Sequence, residues 1–357
     1  MSIFYIHWPF CLSKCDYCDF KSYVQKEIDL DQYLKEYKQK IDIYTKYNKN
    51  ITSIYFGGGT PSLLSQYFVY ELVQYIKTRF SVCNNAEITL EANPRTLDIH
   101  KALAFKEVGV NRISIGVQSI YDDGLQSIGR RSHTAREAIE CVKLMASIFD
   151  NVSVDLIYNR PGQTTSEWKK ELTETIYIFN NIQHISCYEL ILEKNTKLSM
   201  DIESGNKKKP IDTDEFLDIT HDILDKNGFE MYEVSNFAKN GFYGRSNLSY
   251  WRYEDYYGVG DGAHSRVTVD DATKIAIEQV GTEQIVTKLT EQEVIKEKII
   301  MGLRSTLCGI DEKFINDIQK ITKLEKNSYI ICKDRRVIIT YEGLKRLNLV
   351  IRYILDV

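Results

Sequence analysis

The chain has 357 residues, a formal net charge of −4 and 43% hydrophobic residues, enough to bury one large α/β core and a small second unit. It has no global basic field to select nucleic acid, no apolar run approaching a membrane span, and no basic-then-apolar start. Eight cysteines are too few and too unevenly spread for a disulfide framework, so the expected compartment is the reducing cytoplasm, with peripheral membrane contact left open.

Residues 2–7 read as a buried strand that stops at Trp8-Pro9. Directly after it come Cys11, Cys15 and Cys18, four and then three residues apart. Soft thiolates at that density select an iron–sulfur cluster or zinc over hard cations. A complete site of either kind normally takes four protein ligands, yet the position where a fourth local cysteine could stand is Phe20. A four-iron cubane on three thiolates leaves one iron open to a reacting ligand. A structural zinc loop completed by His7 or a remote cysteine is the alternative that the spacing leaves. Cys83, Cys141, Cys187, Cys308 and Cys332 stand singly and read as small apolar side chains.

Apolar residues at helical spacing predict a helix over 29–47. A strand at 51–56 runs straight into Gly57-Gly58-Gly59-Thr60, and a helix follows at 65–80. The next strand, 86–91, is ended by Asn93-Pro94, with a helix at 97–108. Then come a strand at 111–116, helices at 121–128 and 134–149, a strand at 152–157, a helix at 166–180 and a strand at 184–189. Strand–helix alternation at this spacing implies right-handed crossovers and a parallel sheet. Six such units precede the polar stretch 203–214, which suggests a curved, incomplete barrel; the pattern alone also admits a flat doubly wound sheet. A helix at 214–227, a short strand at 231–235 and a polar-aromatic run follow. Residues 290–357 read as a small winged-helix-like unit: helices at 291–304 and 311–319, a strand pair near 328–339, and a last helix at 341–355. Its mixed charge argues for packing or partner contact rather than DNA binding.

In parallel βα architectures the ligand sits at the carboxyl ends of the strands. The three cysteines follow the first strand. Gly57-Gly58-Gly59-Thr60 follows the second, where backbone can come close to a ligand and offer its amides. Glu91 ends the third strand, Gln118 the fourth, Asp155 lies on the fifth, and Arg130 follows the fourth in Gly129-Arg130-Arg131. Such a set around one mouth suits a zwitterion with hydroxyls and a sulfonium.

The Cys11-x-x-x-Cys15-x-x-Cys18 spacing resembles the signature of radical SAM proteins. The chain is similar, over essentially its whole length, to their oxygen-independent coproporphyrinogen III oxidase group, and within it to the HemW-type haem-chaperone branch. The stretches that carry the likeness are Tyr5-Ile-His, Pro9-Phe-Cys, Lys14-Cys-Asp-Tyr-Cys-Asp-Phe20, Phe56-Gly-Gly-Gly-Thr-Pro-Ser62 and Glu87-Ile-Thr-Leu-Glu-Ala-Asn-Pro94. Further on they are Gly109-Val-Asn-Arg-Ile-Ser-Ile-Gly-Val-Gln-Ser119, Tyr232-Glu-Val-Ser, Asn247-Leu-Ser-Tyr-Trp251 and Tyr257-Gly-Val-Gly-Asp-Gly-Ala-His-Ser265.

The resemblance implies a partial (βα)6 TIM-like barrel over 1–230. It further implies an extension over 231–289 whose aromatic and glycine-rich motifs close the site, and a HemW-type α+β C-terminal domain over 290–357. It makes Cys11, Cys15 and Cys18 the ligands of a [4Fe–4S] cluster whose open iron chelates S-adenosylmethionine, which one electron cleaves to methionine and a 5′-deoxyadenosyl radical. Tyr5, Gly58, Glu91, Gln118, Arg130 and Asp155 become contacts of that cofactor. Tyr17, Gly59 and Thr60 match residues around a second S-adenosylmethionine in the oxidase branch.

The implied function is a haem chaperone that carries haem to an acceptor protein, with a flavodoxin or ferredoxin as electron donor. The alternative is the oxidase itself, which turns two propionates of coproporphyrinogen III into vinyls. Its motif carries a further cysteine where this chain has Phe20, which favours the chaperone branch. A zinc-stabilised βα scaffold without radical chemistry is a second alternative. The chain departs from the branch pattern at two places. Ser246 stands where His usually precedes Asn247, leaving His7, His133 and His264 as candidate haem ligands. Asn159-Arg160-Pro161 replaces the common Gly-Leu-Pro and is expected to reshape a loop only.

Overall fold

The structure, a computed structural model, describes residues 1–25, 27–47, 50–270, 273–315 and 317–357. Strand β1 (Ser2–Trp8) leads into the cysteine loop, which is bracketed by two short paired strands, β2 (Phe10–Cys11) and β3 (Tyr23–Val24). There follow α1 (Leu30–Asp42), β4 (Ile51–Gly58), α2 (Gln66–Arg79), β5 (Val82–Ala92), α3 (Ile99–Glu107), β6 (Arg112–Gln118), α4 (Asp122–Ser127) and α5 (Ala135–Ile148). β7 (Val152–Tyr158), α6 (Thr165–Ile178), β8 (His184–Glu189), α7 (Lys197–Glu203) and α8 (Glu215–Lys226) complete the repeating part.

The helices begin where short polar side chains can cap them. Asp29, Ser65 and Asp98 accept from the first-turn amides of α1, α2 and α3, and Thr134 and Thr164 form reciprocal caps with Glu137 and Glu167. The strands between them are runs of apolar, largely β-branched residues buried on both faces, as parallel strands flanked by helices must be. One continuous core joins strand residues such as Phe56, Leu90, Ile115 and Val154 to Leu72, Phe105, Met145 and Trp168 of the helices.

β9 (Glu230–Met231) and β10 (Asn236–Ala238) lie against β8. The helix α9 (Arg245–Trp251) is followed by β11 (Asp255–Val259), β12 (His264–Thr268), β13 (Lys274–Val280) and β14 (Glu283–Leu289). The resulting sheet runs β14-β13-β12-β11-β1-β4-β5-β6-β7-β8-β10-β9. The stretch from β11 to β8 is parallel throughout, and both flanks are antiparallel. The expected six-strand parallel barrel is thus present, with β11 added beyond β1.

Several expectations shift. The short strand expected at 231–235 ends at Met231, and pairing resumes only at Asn236. The β13–β14 hairpin, which the sequence reading passed over, buries Lys274, Ile277 and Gln279 of β13, while β14 is exposed or half-buried throughout.

The rest of the chain is α10 (Glu291–Gly302), β15 (Ile310–Asp311), α11 (Ile318–Lys326), β16 (Ile330–Lys333), β17 (Arg336–Ile339), α12 (Tyr341–Lys345) and α13 (Leu347–Leu355). The helix expected at 311–319 is instead one 3-10 turn at Glu312–Phe314 and then α11, because Asp311 and Asp317 each cap their own start. The last helix is broken at Arg346. β15, β17 and β16 form a small antiparallel sheet. Among the described residues no helix is long and apolar enough to cross a membrane.

Candidate functional site

The carboxyl ends of β1 and β4–β8 open on a cavity of about 440 Å³, within the usual range of small-molecule sites. Cys11, Cys15 and Cys18 line it, all partly exposed and none in a disulfide. Their loop is tied down on both sides. Tyr23 N–H donates to the Pro9 carbonyl at 2.7 Å, and Cys18 N–H to that of Cys15 at 3.2 Å. Between them Asp16, a buried side chain, takes two 2.8 Å bonds from Arg131 and one of 2.9 Å from Lys197. Burial pushes the Asp16 carboxyl up, but the two cations outweigh it and hold it below its ordinary value. A β-carbon on Gly129, where φ is +68°, would lie 2.3 Å from that carboxylate, so only glycine allows this clamp.

The sulfurs themselves are addressed by polar groups. Thr60 Oγ1 lies 3.3 Å from Cys11 Sγ, and Arg130 Nη1 lies 3.2 Å from Cys15 Sγ and 3.4 Å from the Tyr17 hydroxyl. Arg130 Nη2 donates to the Gly116 carbonyl at 3.1 Å, while its buried Nε has no partner among the described residues. Among those residues, no three His, Cys, Asp or Glu side chains already close around an ion. The donor set nonetheless fits a soft, thiolate-bound cluster: three sulfurs on one wall, a guanidinium to offset their charge, and open volume beside them. Remote cysteines do not fit a fourth position, since none of the other five lines the cavity.

Two carboxylates share the cavity with the thiols. Glu91 accepts from the Tyr55 hydroxyl at 2.8 Å and from Gly58 N–H at 3.1 Å. Enclosure by the barrel wall pushes its carboxyl up to about 7, against the pull of those two donors, with nearby Asp155 adding to the rise. Asp155 is also pushed up by enclosure, and both its oxygens accept from Ser114 Oγ at 3.2 Å. Gly58 has φ of +109°, and a β-carbon there would sit 2.7 Å from the His7 ring, so this turn admits no side chain. Gln118 ends β6 at an irregularity in its pairing with β7 and has φ of +66°. A left-handed backbone costs a non-glycine residue about 1–2 kcal/mol, so its surroundings must hold it there.

Of the residues named from the sequence, Cys11, Cys15, Cys18, Tyr17, Gly58, Gly59, Thr60, Glu91, Gln118, Arg130 and Asp155 all line this cavity. Tyr5 does not. Its ring stacks on that of Tyr55 at 6.0 Å, and its hydroxyl meets His7 Nδ1 at 3.2 Å, so it props the Glu91 wall from behind. Sequence reasoning missed Ser114, Gly116, Tyr188, Glu189 and Ile191. Glu189 is the last residue of the sixth strand, so the strand-end rule applied once more reaches it. The mouth is partly apolar: Phe20 and Ile191 line it and are 62% and 69% exposed.

The candidate histidines are committed elsewhere or distant. His7 Nε2 lies 3.0 Å from the Lys21 carbonyl, and His133 bonds Ser132 and the Val117 carbonyl. His264 is exposed on β12 and does not line the cavity. The aromatic block at 247–251 does not close the cavity, contrary to expectation. Its helix α9 covers the other end of the barrel, where Ser246 is buried with its Oγ 2.8 Å from Ser53 Oγ. No described residue of 231–289 lines the cavity. Nor does Asn159-Arg160-Pro161 merely reshape a loop: Arg160 is buried and bonds the Gln118 carbonyl.

A sequence model described as the radical SAM superfamily matches residues 5–174. The zebrafish (Danio rerio) protein "Radical S-adenosyl methionine domain-containing protein 1, mitochondrial" is 33% identical, over 98% of this chain and 86% of its own. "Heme chaperone HemW" of Buchnera aphidicola subsp. Acyrthosiphon pisum is 36% identical, over 90% of this chain and 79% of its own. The protein of the same name from Escherichia coli K12 is 37% identical, over 75% and 70%. Among solved structures, coproporphyrinogen III oxidase (HemN) from Escherichia coli superposes with a TM-score of 0.79 at 19% identity, covering 99% of this chain and 89% of that one.

Proposed function

The chain belongs to the radical SAM superfamily, in the group that joins HemW to the oxygen-independent coproporphyrinogen III oxidases, and from that premise we propose that it is a haem chaperone of the HemW type. It would bind a [4Fe–4S] cluster, S-adenosylmethionine and haem, and pass haem to an acceptor protein. The observation that carries the reading is the single cavity in which three thiols face Glu91, Gln118, Arg130 and Asp155.

In this reading Cys11, Cys15 and Cys18 would hold the cluster, which would leave one iron for S-adenosylmethionine. The chemistry such a cluster supplies when bound is one-electron transfer to the sulfonium. Arg130 and Thr60 offset the thiolate charge through their contacts with Cys15 and Cys11. Glu91, enclosed and poised near neutrality, accepts from a cationic or N–H group of the ligand. Asp155 is oriented by Ser114 to accept from ribose hydroxyls, and Gln118 to bond the adenosine side. Tyr17, Gly59 and Thr60 line the same cavity, so a second molecule of the cofactor would share it with the first. The exposed Phe20 and Ile191 at the mouth suit a flat, mostly apolar macrocycle. Phe20 also leaves no thiol at the position where the oxidase motif has one. An oxygen-sensitive cluster needs a reducing compartment, which supports the cytoplasm, with a flavodoxin or ferredoxin as donor.

The test is anaerobic incubation of cluster-loaded protein, with S-adenosylmethionine and a one-electron reductant, against haem and coproporphyrinogen III in parallel. Stoichiometric haem binding with no protoporphyrinogen IX formed supports the chaperone. Turnover of coproporphyrinogen III establishes the oxidase instead.

A further inference from the structure

Behind the cavity, between β6, β7 and α6, lies a cluster of charged and polar side chains to which the proposed function gives no part. Arg160 and Glu171 are buried, with side chains 5% and 1% exposed, and their paired oxygens and nitrogens meet directly. Arg160 Nη1 also donates to the Ile157 carbonyl at 3.0 Å and to the Gln118 carbonyl at 3.3 Å. Glu171 Oε1 accepts from Ser119 Oγ at 2.6 Å and from Ile120 N–H at 3.2 Å. Gln163 closes the ring, donating from Nε2 to Glu171 at 3.3 Å and accepting from Arg160 N–H at 3.2 Å. The chain at the end of β6 is therefore held at three successive residues, by the Gln118 carbonyl, the Ser119 hydroxyl and the Ile120 amide. The first of them is Gln118, left-handed and on the cavity wall.

The residue before Arg160 acts on the facing side. Asn159 has φ of +55°, a conformation asparagine tolerates better than most side chains. Its Nδ2 donates to Glu189 Oε1 at 2.9 Å and to the Ile211 carbonyl at 2.8 Å, and its Oδ1 accepts from Ile211 N–H at 2.8 Å. Glu189 lines the cavity. The two residues that depart from the Gly-Leu pattern thus reach two cavity residues, one through backbone and one through a side chain.

We propose that Asn159, Arg160 and Glu171 form a positioning device that fixes Gln118 and Glu189 and thereby sets how tightly the cavity grips the adenosyl end of its ligand. An apolar residue at 160 could not hold a carbonyl, and a glycine at 159 could not hold a carboxylate. A buried charged pair gains little net stability over an apolar pair of similar volume, whereas one that also fixes a strained backbone at a ligand wall adds orientation. The proposal rests on the cavity being the S-adenosylmethionine site.

The experiment compares cluster-loaded wild type, Asn159→Gly and the double variant Arg160→Leu/Glu171→Leu, which removes both charges together. Iron content, melting temperature and the Kd for S-adenosylhomocysteine by equilibrium dialysis are measured on each. The double variant is expected to keep its iron and to bind about tenfold more weakly. Asn159→Gly, which keeps the left-handed turn, should bind about threefold more weakly at unchanged melting temperature. A melting temperature that moves while Kd does not would mean the network is merely structural and overturns the proposal. If the double variant fails to fold, Asn159→Gly decides on its own. Wild type that binds no S-adenosylhomocysteine overturns the reading of the cavity, and this proposal with it. Wild-type binding with unmoved variants overturns the proposal alone.

Discussion

The same parallel strands end in an open cavity on one side and under the helix α9 on the other, and polar residues are used differently at the two ends. At the open end Gly58, Gln118 and Asn159 have positive φ, Arg130 Nε has no partner among the described residues, and Glu91 and Asp155 are pushed toward the neutral form. At the covered end polar groups pair off. Ser53 meets Ser246 and the Glu87 carbonyl, Glu87 accepts from Arg245 N–H, and His184 lies between Ser153 at 2.7 Å and Tyr232 at 2.8 Å. Tyr232 in turn takes a bond of 3.0 Å from Asn247. Arg112 Nε, Asn151 Oδ1 and Trp251 Nε1 are the exceptions there among the described residues. Left-handed backbone and raised carboxyls on the cavity wall mark the binding side of the barrel, and networks of paired polar groups mark the side that holds the chain together.

That contrast can be broken from either end. The largest effect is expected for Arg130→Ala, which strips the guanidinium from the Cys15 sulfur and the Gly116 carbonyl. Affinity for S-adenosylhomocysteine should fall by about 100-fold, about 3 kcal/mol, in equilibrium dialysis. At the covered end, Tyr232→Phe leaves His184 and Asn247 without their shared hydroxyl. It should cost about 2–3 kcal/mol in denaturant unfolding and leave that Kd alone. An effect of either variant on the other's observable would dissolve the distinction between the ends.

Glu91 sharpens it through pH. Its carboxyl titrates at about 7 in the folded chain and near 4.5 when exposed. Between those values the folded state holds a proton that the unfolded state has lost, so this group's contribution to stability falls as pH rises toward 7. Ligand-free wild type should lose about 2 kcal/mol more than Glu91→Gln between pH 5 and pH 7.5. Parallel stability curves for the two proteins would contradict the enclosure of Glu91. The smallest effect is expected for Ser246→His, which restores the imidazole that the branch pattern has at this position. It would press into space already filled by Ser53, destabilising by about 1 kcal/mol without changing haem affinity.

Much of the open end could be read from the sequence because strand ends announce themselves. Cys11, Gly58, Glu91, Gln118 and Asp155 fall at or near the close of apolar runs, and a parallel sheet brings such positions to one mouth. Tyr5 fell outside because it lies three residues before the end of β1: it shares the face of its register partner Tyr55, which bonds Glu91, but sits deeper in the barrel than the cavity. The Arg160–Glu171 pair was not legible, since nothing in a turn and a helix eleven residues on says that both side chains are buried under residue 118. The covered end was misread for a related reason. Asn247-Leu-Ser-Tyr-Trp251 looks like site chemistry, but α9 carries it to the amino ends of the strands. The shift of α11 came from a capping choice between near-equivalent polar residues, Asp311 and Asp317.

The most direct measurement is iron and acid-labile sulfide content, with the visible spectrum, of anaerobically reconstituted wild type and Cys15→Ala. Near four irons and four sulfides per chain, a broad sulfide-to-iron absorption, and loss of both in the variant are expected. Zinc in place of iron, or a variant with unchanged metal, would contradict the assignment of the three thiols to a cluster at this cavity.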